Sequence, residues 1–123
     1  YNATEYKVIT PGAILCRNPI ANPSCLVTRR EVLEEIKFQQ EYNGTIEDCY
    51  FDESLRQSED AECWLRICIK TNWNFAVIPE LLATYRLHSV GNSANLLNTL
   101  ESWEQLTEKV RLYAPEVIAE WEN

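Results

Sequence analysis

Hydrophobic positions recur at helical spacing in two parts of the first 70 residues. A capping-box sequence begins at Thr28, and the apolar residues after it continue at intervals of three or four toward Gln40. Ser58 precedes a group of acidic residues and then a mostly apolar stretch that ends at Lys70. Serine is a favoured N-cap, and acidic side chains in a first turn complement the helix dipole. These patterns predict helices over 28–40 and 58–70.

The last third of the chain has a longer amphipathic pattern. From Ser93 onward, large apolar residues recur every three or four positions up to Val110, with acidic and polar residues between them. Pro115 interrupts the pattern, because proline lacks the backbone N–H that a helix interior requires. Apolar residues beyond it predict one or two further turns. We therefore expect residues 93–123 to form C-terminal packing helices.

Short apolar segments bounded by turn residues are typical of β-strands. Such segments lie at residues 7–10, 13–16, 24–27, 75–79 and 83–88. Residues 41–57 sustain no period, and Asn43-Gly44 is typical of a turn, so this region is predicted to be a loop. Strands mixed with three main helices place the chain in the α/β class, with a few short strands.

Length, composition and charge exclude several classes of protein. The chain has 123 residues, 46% of them hydrophobic, which fits a single domain or fragment over residues 1–123. A net charge of −8 repels phosphate backbones, so we expect no nucleic-acid partner. No apolar run approaches the roughly 20 residues that a membrane helix needs, so we expect no transmembrane segment. Five cysteines without a C-x-x-C pair favour a reduced, cytoplasmic setting over disulfides or a zinc site.

Two carboxylates lie where the second predicted helix begins. Glu59 and Asp60 fall in its first turn, where the helix dipole favours the ionised form and a rigid backbone fixes the side chain. A general base needs both properties, which makes Asp60 a candidate. Acidic residues also occupy helix starts for structural reasons alone. The residues by themselves leave these two roles open.

A second polar pair, Arg86 and His88, lies in the segment 83–88 that is predicted to be extended. Side chains two positions apart on a strand project from the same face. The guanidinium group and the chain's one histidine would therefore point together. Such a pair suits a phosphate or a metal-bound phosphate, although a single histidine near a strand end is often structural.

Five segments, taken in chain order, resemble family 2 glycosyltransferases, the large inverting group with the GT-A fold. The first runs from a predicted strand into a helix and ends in paired basic residues, Asn22-Pro23-Ser24-Cys25-Leu26-Val27-Thr28-Arg29-Arg30. The others are Phe51-Asp52-Glu53-x-Leu55 before Glu59-Asp60, then Trp64-Leu65-Arg66, Ile78-Pro79-Glu80 and Tyr85-Arg86-x-His88. These matches lie between residues 18 and 93, which is more than half of the chain.

The resemblance implies that the chain is the C-terminal, acceptor-side half of a GT-A domain. Asp60 would be the base that deprotonates the acceptor hydroxyl as it attacks the anomeric carbon of a nucleotide sugar, and Glu59 would help to place the acceptor. His88 would approach the metal or the donor diphosphate, with Arg86 beside it. The implied partners are a nucleotide-sugar donor and a saccharide or lipid-linked acceptor. The implied cofactor is a divalent metal ion, Mg²⁺ or Mn²⁺.

The donor site of that family has no counterpart in the sequence. It depends on an N-terminal βαβ half with an Asp-X-Asp pair, and no Asp-X-Asp occurs in these 123 residues. We therefore expect the donor site and the main metal ligands to lie outside the chain, and the isolated chain to be inactive. The absence of methionine fits a part of a longer protein, which could be membrane-peripheral. A part of a larger sheet would expose a strand edge through which two copies could pair.

Two other functions fit the residues. One is a non-catalytic interaction domain that uses the amphipathic helix from Ser93 to Leu112 and the apolar residues after Pro115 as a partner surface. The other is a hydrolase, a class that often uses paired carboxylates. The candidates for such a pair are Asp52, Glu53, Glu59 and Asp60. The hydrolase interpretation accounts less well for the segment that contains the histidine.

Overall fold

A computed structural model describes residues 9–20, 22–78, 80–90 and 95–122. Within these ranges the helices are α1 (Pro11–Cys16), α2 (Arg30–Ile36), α3 (Glu59–Lys70), α4 (Leu96–Tyr113) and α5 (Pro115–Trp121), with a short 3₁₀ helix at Pro23–Cys25. The strands are β1 (Phe38–Tyr42) and β2 (Thr45–Cys49), which form one antiparallel pair. This mixed content confirms the coarse prediction of helices with a few short strands. Two antiparallel strands do not by themselves make a GT-A sheet.

The two long helices lie where the hydrophobic pattern predicts them. α3 begins directly after Ser58, but the predicted cap is not formed, because the Ser58 hydroxyl bonds Ser102 in α4 instead of a backbone N–H of α3. α4 begins after Asn95, whose side chain accepts a hydrogen bond from the backbone N–H of Asn98 at 3.2 Å. The predicted start of this helix, Ser93, lies outside the described residues. Pro115 begins α5 as predicted, in the first-turn position where a missing N–H costs little.

The helix predicted from Thr28 to Gln40 is shorter in the structure. α2 begins at Arg30 without the predicted cap from Thr28, whose hydroxyl donates to the carbonyl of Arg29. It ends at Ile36, and β1 begins two residues later. The Phe38 ring lies with its centre 4.9 Å from the guanidinium carbon of Arg66, so the strand places this ring against α3. The local pattern could not show this contact, because tertiary packing between residues distant in sequence often overrides helix propensity.

Residues 41–57 do not form the continuous loop that the sequence predicts. β2 pairs with β1, and Tyr42 lies opposite Thr45 at the end of the ladder. The two residues between them, Asn43 and Gly44, have φ angles of 51° and 80°. Positive φ at both central positions is the geometry of a two-residue type I′ hairpin turn. The turn prediction is confirmed, and the strands were missed because their sequences are mostly polar.

The strands predicted at 13–16 and 24–27 are wrong. Residues 13–16 lie in α1, and the segment from Pro23 to Cys25 is the 3₁₀ helix. The start of α1 is stabilised by its N-cap. The Thr10 hydroxyl accepts a hydrogen bond from the backbone N–H of Ala13 at 3.2 Å, and Pro11 occupies the first helical position. An N-cap followed by proline favours a helix even where the apolar residues that follow have a pattern typical of a strand.

The remaining predicted strands also have no counterpart among the described residues. Residues 75–78 and 80–88 have no regular secondary structure, and Pro79 lies outside the described residues. Residues 7 and 8 also lie outside them, while residues 9 and 10 precede α1. A strand requires a neighbour that supplies its backbone hydrogen bonds. In the described part of the chain, only β1 and β2 provide such a neighbour for each other.

The core is built around α3, whose residues 61–67 are all buried. The helix therefore packs on more than one side. Trp64 lies at its centre, in edge contact with Phe51 at 5.9 Å and Phe75 at 6.3 Å between ring centroids. The other helices contribute the buried side chains of Ile14, Val32, Ile36, Leu106, Val110 and Ile118. The start of α3 is therefore held rigidly by the core behind it.

Candidate functional site

Asp60 lies half-buried in the first turn of α3. Its Oδ1 accepts a hydrogen bond from the backbone N–H of Ala61 at 2.7 Å. Burial raises the pKa of Asp60, because removing the carboxylate from water disfavours its charged form by more than the backbone hydrogen bonds favour it. The position of Asp60 at a helix start indicates only the helix dipole, which acts on its pKa in the opposite direction. The structure thus makes Asp60 a stronger proton acceptor than an exposed aspartate.

Glu59 precedes Asp60 and is also half-buried. Burial raises the pKa of Glu59, and the neighbouring Asp60 charge acts in the same direction. The Oε2 atom of Glu59 is buried and has no hydrogen-bond partner among the described residues. Two adjacent carboxyl groups with raised pKa values at one helix start are a pattern common at functional sites.

A polar groove runs between the segment that precedes α3 and the first half of α4. One part is a hollow of about 470 Å³, and the other a hollow of about 290 Å³. Both are lined by Arg56, Gln57 and Asn98, so the two hollows are adjacent, and together they are named the loop–α4 groove. Glu59 lines the larger hollow, whereas Asp60 lines neither. The remaining lining residues are Glu53, Ser54, Leu55, Glu101, Ser102 and Gln105.

Hydrogen bonds fix the floor of the loop–α4 groove. The Ser58 hydroxyl lies 2.6 Å from the Ser102 hydroxyl and donates to the Ser102 carbonyl at 2.9 Å. The backbone N–H of Gln57 donates to the Ser102 hydroxyl at 3.3 Å, and its side-chain oxygen accepts from Thr99 at 2.8 Å. These contacts tie the start of α3 to α4. These hydrogen bonds therefore fix the Ser102 side of the groove.

A buried charge network lies behind the first turn of α3. Glu62 is fully buried and forms ion pairs with Arg66 at 2.9 Å and with Lys109 at 3.2 Å. Lys109 also pairs with Asp52 at 2.7 Å. Burial by itself would raise the pKa of Asp52, but hydrogen bonds from Lys109 and Ser54 outweigh it and hold that pKa below its usual value. The network joins α3 and α4 to the segment before α3.

Arg66 extends this network to two further segments. Its Nη1 donates to the backbone carbonyl of Ile36 at 2.7 Å, and its Nη2 donates to the carbonyl of Tyr50. In the sequence, Arg66 belongs only to the segment Trp64-Leu65-Arg66, and Lys109 belongs to no motif. The four-residue spacing of Glu62 and Arg66 on one helix could have indicated their pair. Nothing local could have indicated the lysine, which comes from another helix.

No hydrogen bond or ion pair joins Arg86 or His88 to the carboxylates at the start of α3. Both are exposed and lie in the irregular segment 80–90. Neither side chain makes a hydrogen bond or ion pair with any described residue. The predicted common face depended on a strand that the described residues do not contain.

A metal site is also absent from the described ranges. No group of three or more histidine, cysteine, aspartate or glutamate side chains is arranged to hold a metal ion there. His88, the residue assigned to the metal by resemblance, is exposed. The described residues therefore do not fit a divalent ion by themselves.

Comparisons with known proteins give no assignment. No family model matches the chain, and searches of curated proteins and of solved structures gave no match. Among the described helices, none is both long enough and apolar enough to cross a lipid bilayer.

Proposed function

We propose that the chain is the acceptor-side part of an inverting glycosyltransferase with a GT-A fold, in which Asp60 is the catalytic base. The observation that carries this proposal is the environment of the Asp60 carboxyl group. It sits on a helix whose core face is fully packed, and burial raises its pKa. A general base becomes more effective as its pKa approaches the working pH, provided that its position is fixed.

The proposed reaction is a single displacement. The acceptor hydroxyl oxygen forms a bond to the anomeric carbon, while the bond from that carbon to the nucleoside diphosphate breaks and takes its electron pair to the leaving group. Asp60 receives the hydroxyl proton. Glu59, on the wall of the loop–α4 groove, helps to place the acceptor.

Donor binding is assigned to residues outside this chain. The family resemblance implies a divalent ion beside the diphosphate, and the described residues do not fit one. Arg86 and His88 remain proposed donor contacts. They are solvent-exposed, so a donor-binding part of the protein could reach them.

The test compares wild type with Asp60→Asn in the native reading frame that contains this chain. The assay measures release of nucleoside diphosphate from a panel of nucleotide sugars. We expect kcat to fall by about 10²–10⁴-fold, since that is the usual contribution of a general base. The asparagine oxygen can still accept the hydrogen bond from Ala61, so the fold should persist.

The matched control is Glu31→Gln, which alters an exposed carboxylate in the first turn of α2. We expect this variant to retain wild-type turnover. A folded Asp60→Asn protein with wild-type kcat would refute the proposal.

A non-catalytic interaction domain is the second candidate, and one observation favours it. Leu96, Leu97 and Leu100 lie in the first two turns of α4 with exposed fractions of 69%, 74% and 54%. Adjacent exposed leucines on a helix are typical of a partner surface. This alternative predicts no sugar transfer by the wild-type protein, and loss of partner binding on Leu97→Asp but not on Asp60→Asn.

A further inference from the structure

The loop–α4 groove is lined by several polar side chains that have no hydrogen-bond or ion-pair partner among the described residues. The side chains of Glu53, Arg56, Asn98, Glu101 and Gln105 line it and make no hydrogen bond or ion pair with any described residue. Three of these are on α4 at a spacing of three or four residues, so they share one face of the helix. The groove thus presents a row of available donors and acceptors above the fixed floor at Ser102.

The charge of the groove limits what it can bind. Its lining contains three carboxylates, from Glu53, Glu59 and Glu101, and one guanidinium group, from Arg56. A diphosphate or phosphorylated ligand would be repelled by this excess of negative charge. The nucleotide-sugar donor is therefore a poor fit for this groove.

The neutral groups in the groove favour hydroxyl-rich ligands. The side-chain amide groups of Asn98 and Gln105 each have an NH2 donor group and a carbonyl acceptor. Each can therefore accept a hydrogen bond from a hydroxyl group or donate one to it. Carboxylates accept strong hydrogen bonds from hydroxyl groups. A fixed floor lowers the entropy lost when a ligand binds. These properties together suit a neutral chain of sugar units.

We propose that the loop–α4 groove binds a neutral saccharide, with Asn98 and Gln105 as hydroxyl-binding residues. Glu59 lines the groove and precedes Asp60 in the first turn of α3. That this saccharide is the acceptor rests on the function proposed above. Its binding to the groove does not depend on that function.

The first experiment measures binding alone. The ¹⁵N-labelled chain is titrated with maltotriose, cellotriose and chitotriose, with glucose 6-phosphate as the charged comparison. We expect at least one trisaccharide to shift the side-chain amide signals of Asn98 and Gln105, and glucose 6-phosphate to leave them unchanged. The double variant Asn98→Ala/Gln105→Ala should weaken binding about tenfold, as the loss of two hydrogen bonds implies. Asn74→Ala, an exposed amide outside the groove, is the control.

The second experiment separates this inference from the proposed function. In the native protein, the double variant should raise the acceptor KM about tenfold with kcat unchanged, whereas Asp60→Asn should lower kcat. If the protein binds a saccharide but Asp60→Asn does not change its kcat, the proposed function is wrong and the groove assignment is retained. Titrations in which no trisaccharide shifts the two amide signals, or in which Asn74→Ala has the same effect as the double variant, would overturn the groove assignment.

Discussion

At the scale of single residues, Asp60 shows how function and stability oppose each other. Burial raises its pKa, so its ionised form is less stable in the folded protein than in the unfolded chain. The helix dipole favours the charge, but the direction of the pKa shift shows that desolvation outweighs it. The charge of the proposed base is therefore held at a cost in stability, as at many catalytic groups.

We expect Asp60→Asn to raise the melting temperature at pH 7. A raised folded-state pKa means that the penalty is complete above that pKa and vanishes below the unfolded-state value of about 3.9. The melting temperatures of variant and wild type should therefore converge when thermal unfolding is measured near pH 3. Glu31→Gln serves as control and should show no such pH-dependent gain. A variant that is less stable than wild type at pH 7 would contradict this account of Asp60.

At the scale of elements, the β1–β2 hairpin depends on its turn more than on its strands. The strands are mostly polar and their side chains are largely exposed, so burial holds them weakly. Gly44 has a φ of 80°, and a Cβ built there would meet no atom within 4 Å. Any effect of a side chain at this position therefore comes from backbone conformation alone.

We expect Gly44→Ala to destabilise the hairpin by about 1–2 kcal/mol, the usual cost of a left-handed conformation for a residue with a Cβ. Amide hydrogen exchange in β1 and β2 should accelerate accordingly, while exchange in α3 should change little. Gly44→Asn is the matched control, because asparagine tolerates this conformation. Equal exchange rates in the alanine variant and wild type would show that the turn does not govern the hairpin.

At the scale of the whole molecule, the charge network of Asp52, Glu62, Arg66 and Lys109 joins segments that are distant in sequence. Its centre, Glu62, is fully buried with partners from both α3 and α4. A buried charge that loses a partner is costly, because water cannot replace that partner. The network thus fixes the position of the proposed base relative to the loop–α4 groove.

We expect Lys109→Met to lower the free energy of unfolding by about 1–3 kcal/mol, since Glu62 keeps only one of its two cationic partners. Chemical denaturation at pH 7 measures this loss. The depressed pKa of Asp52 means that its contribution is complete above the unfolded-state value of about 3.9 and is lost as the pH falls through the folded-state value. The difference between variant and wild type should therefore shrink in acid.

Lys37→Met is the control for this substitution. Lys37 also has two carboxylate partners, Glu34 at 2.9 Å and Asp48 at 3.1 Å, but its ion pairs are exposed. Solvent screens such pairs, so the control should be nearly as stable as wild type. Equal losses in the two variants would indicate that burial of Glu62 has no special role.

The sequence by itself determined the features that depend on neighbouring residues. The proline start of α5 and the turn at Asn43-Gly44 follow from a fixed φ and a tolerated positive φ. The carboxylates at the start of α3 are identified in the same way. Each of these is a local effect of backbone sterics or hydrogen bonding.

Only the tertiary structure decided the rest. The polar strands of the hairpin, the Lys109 contact to Glu62 and the groove between the pre-α3 segment and α4 all require residues that are far apart in sequence to meet. The raised pKa of Asp60 likewise comes from burial, whereas its sequence position indicates only the opposing helix dipole. Burial and long-range contact depend on how the whole chain packs, and a local pattern of residues does not contain that information.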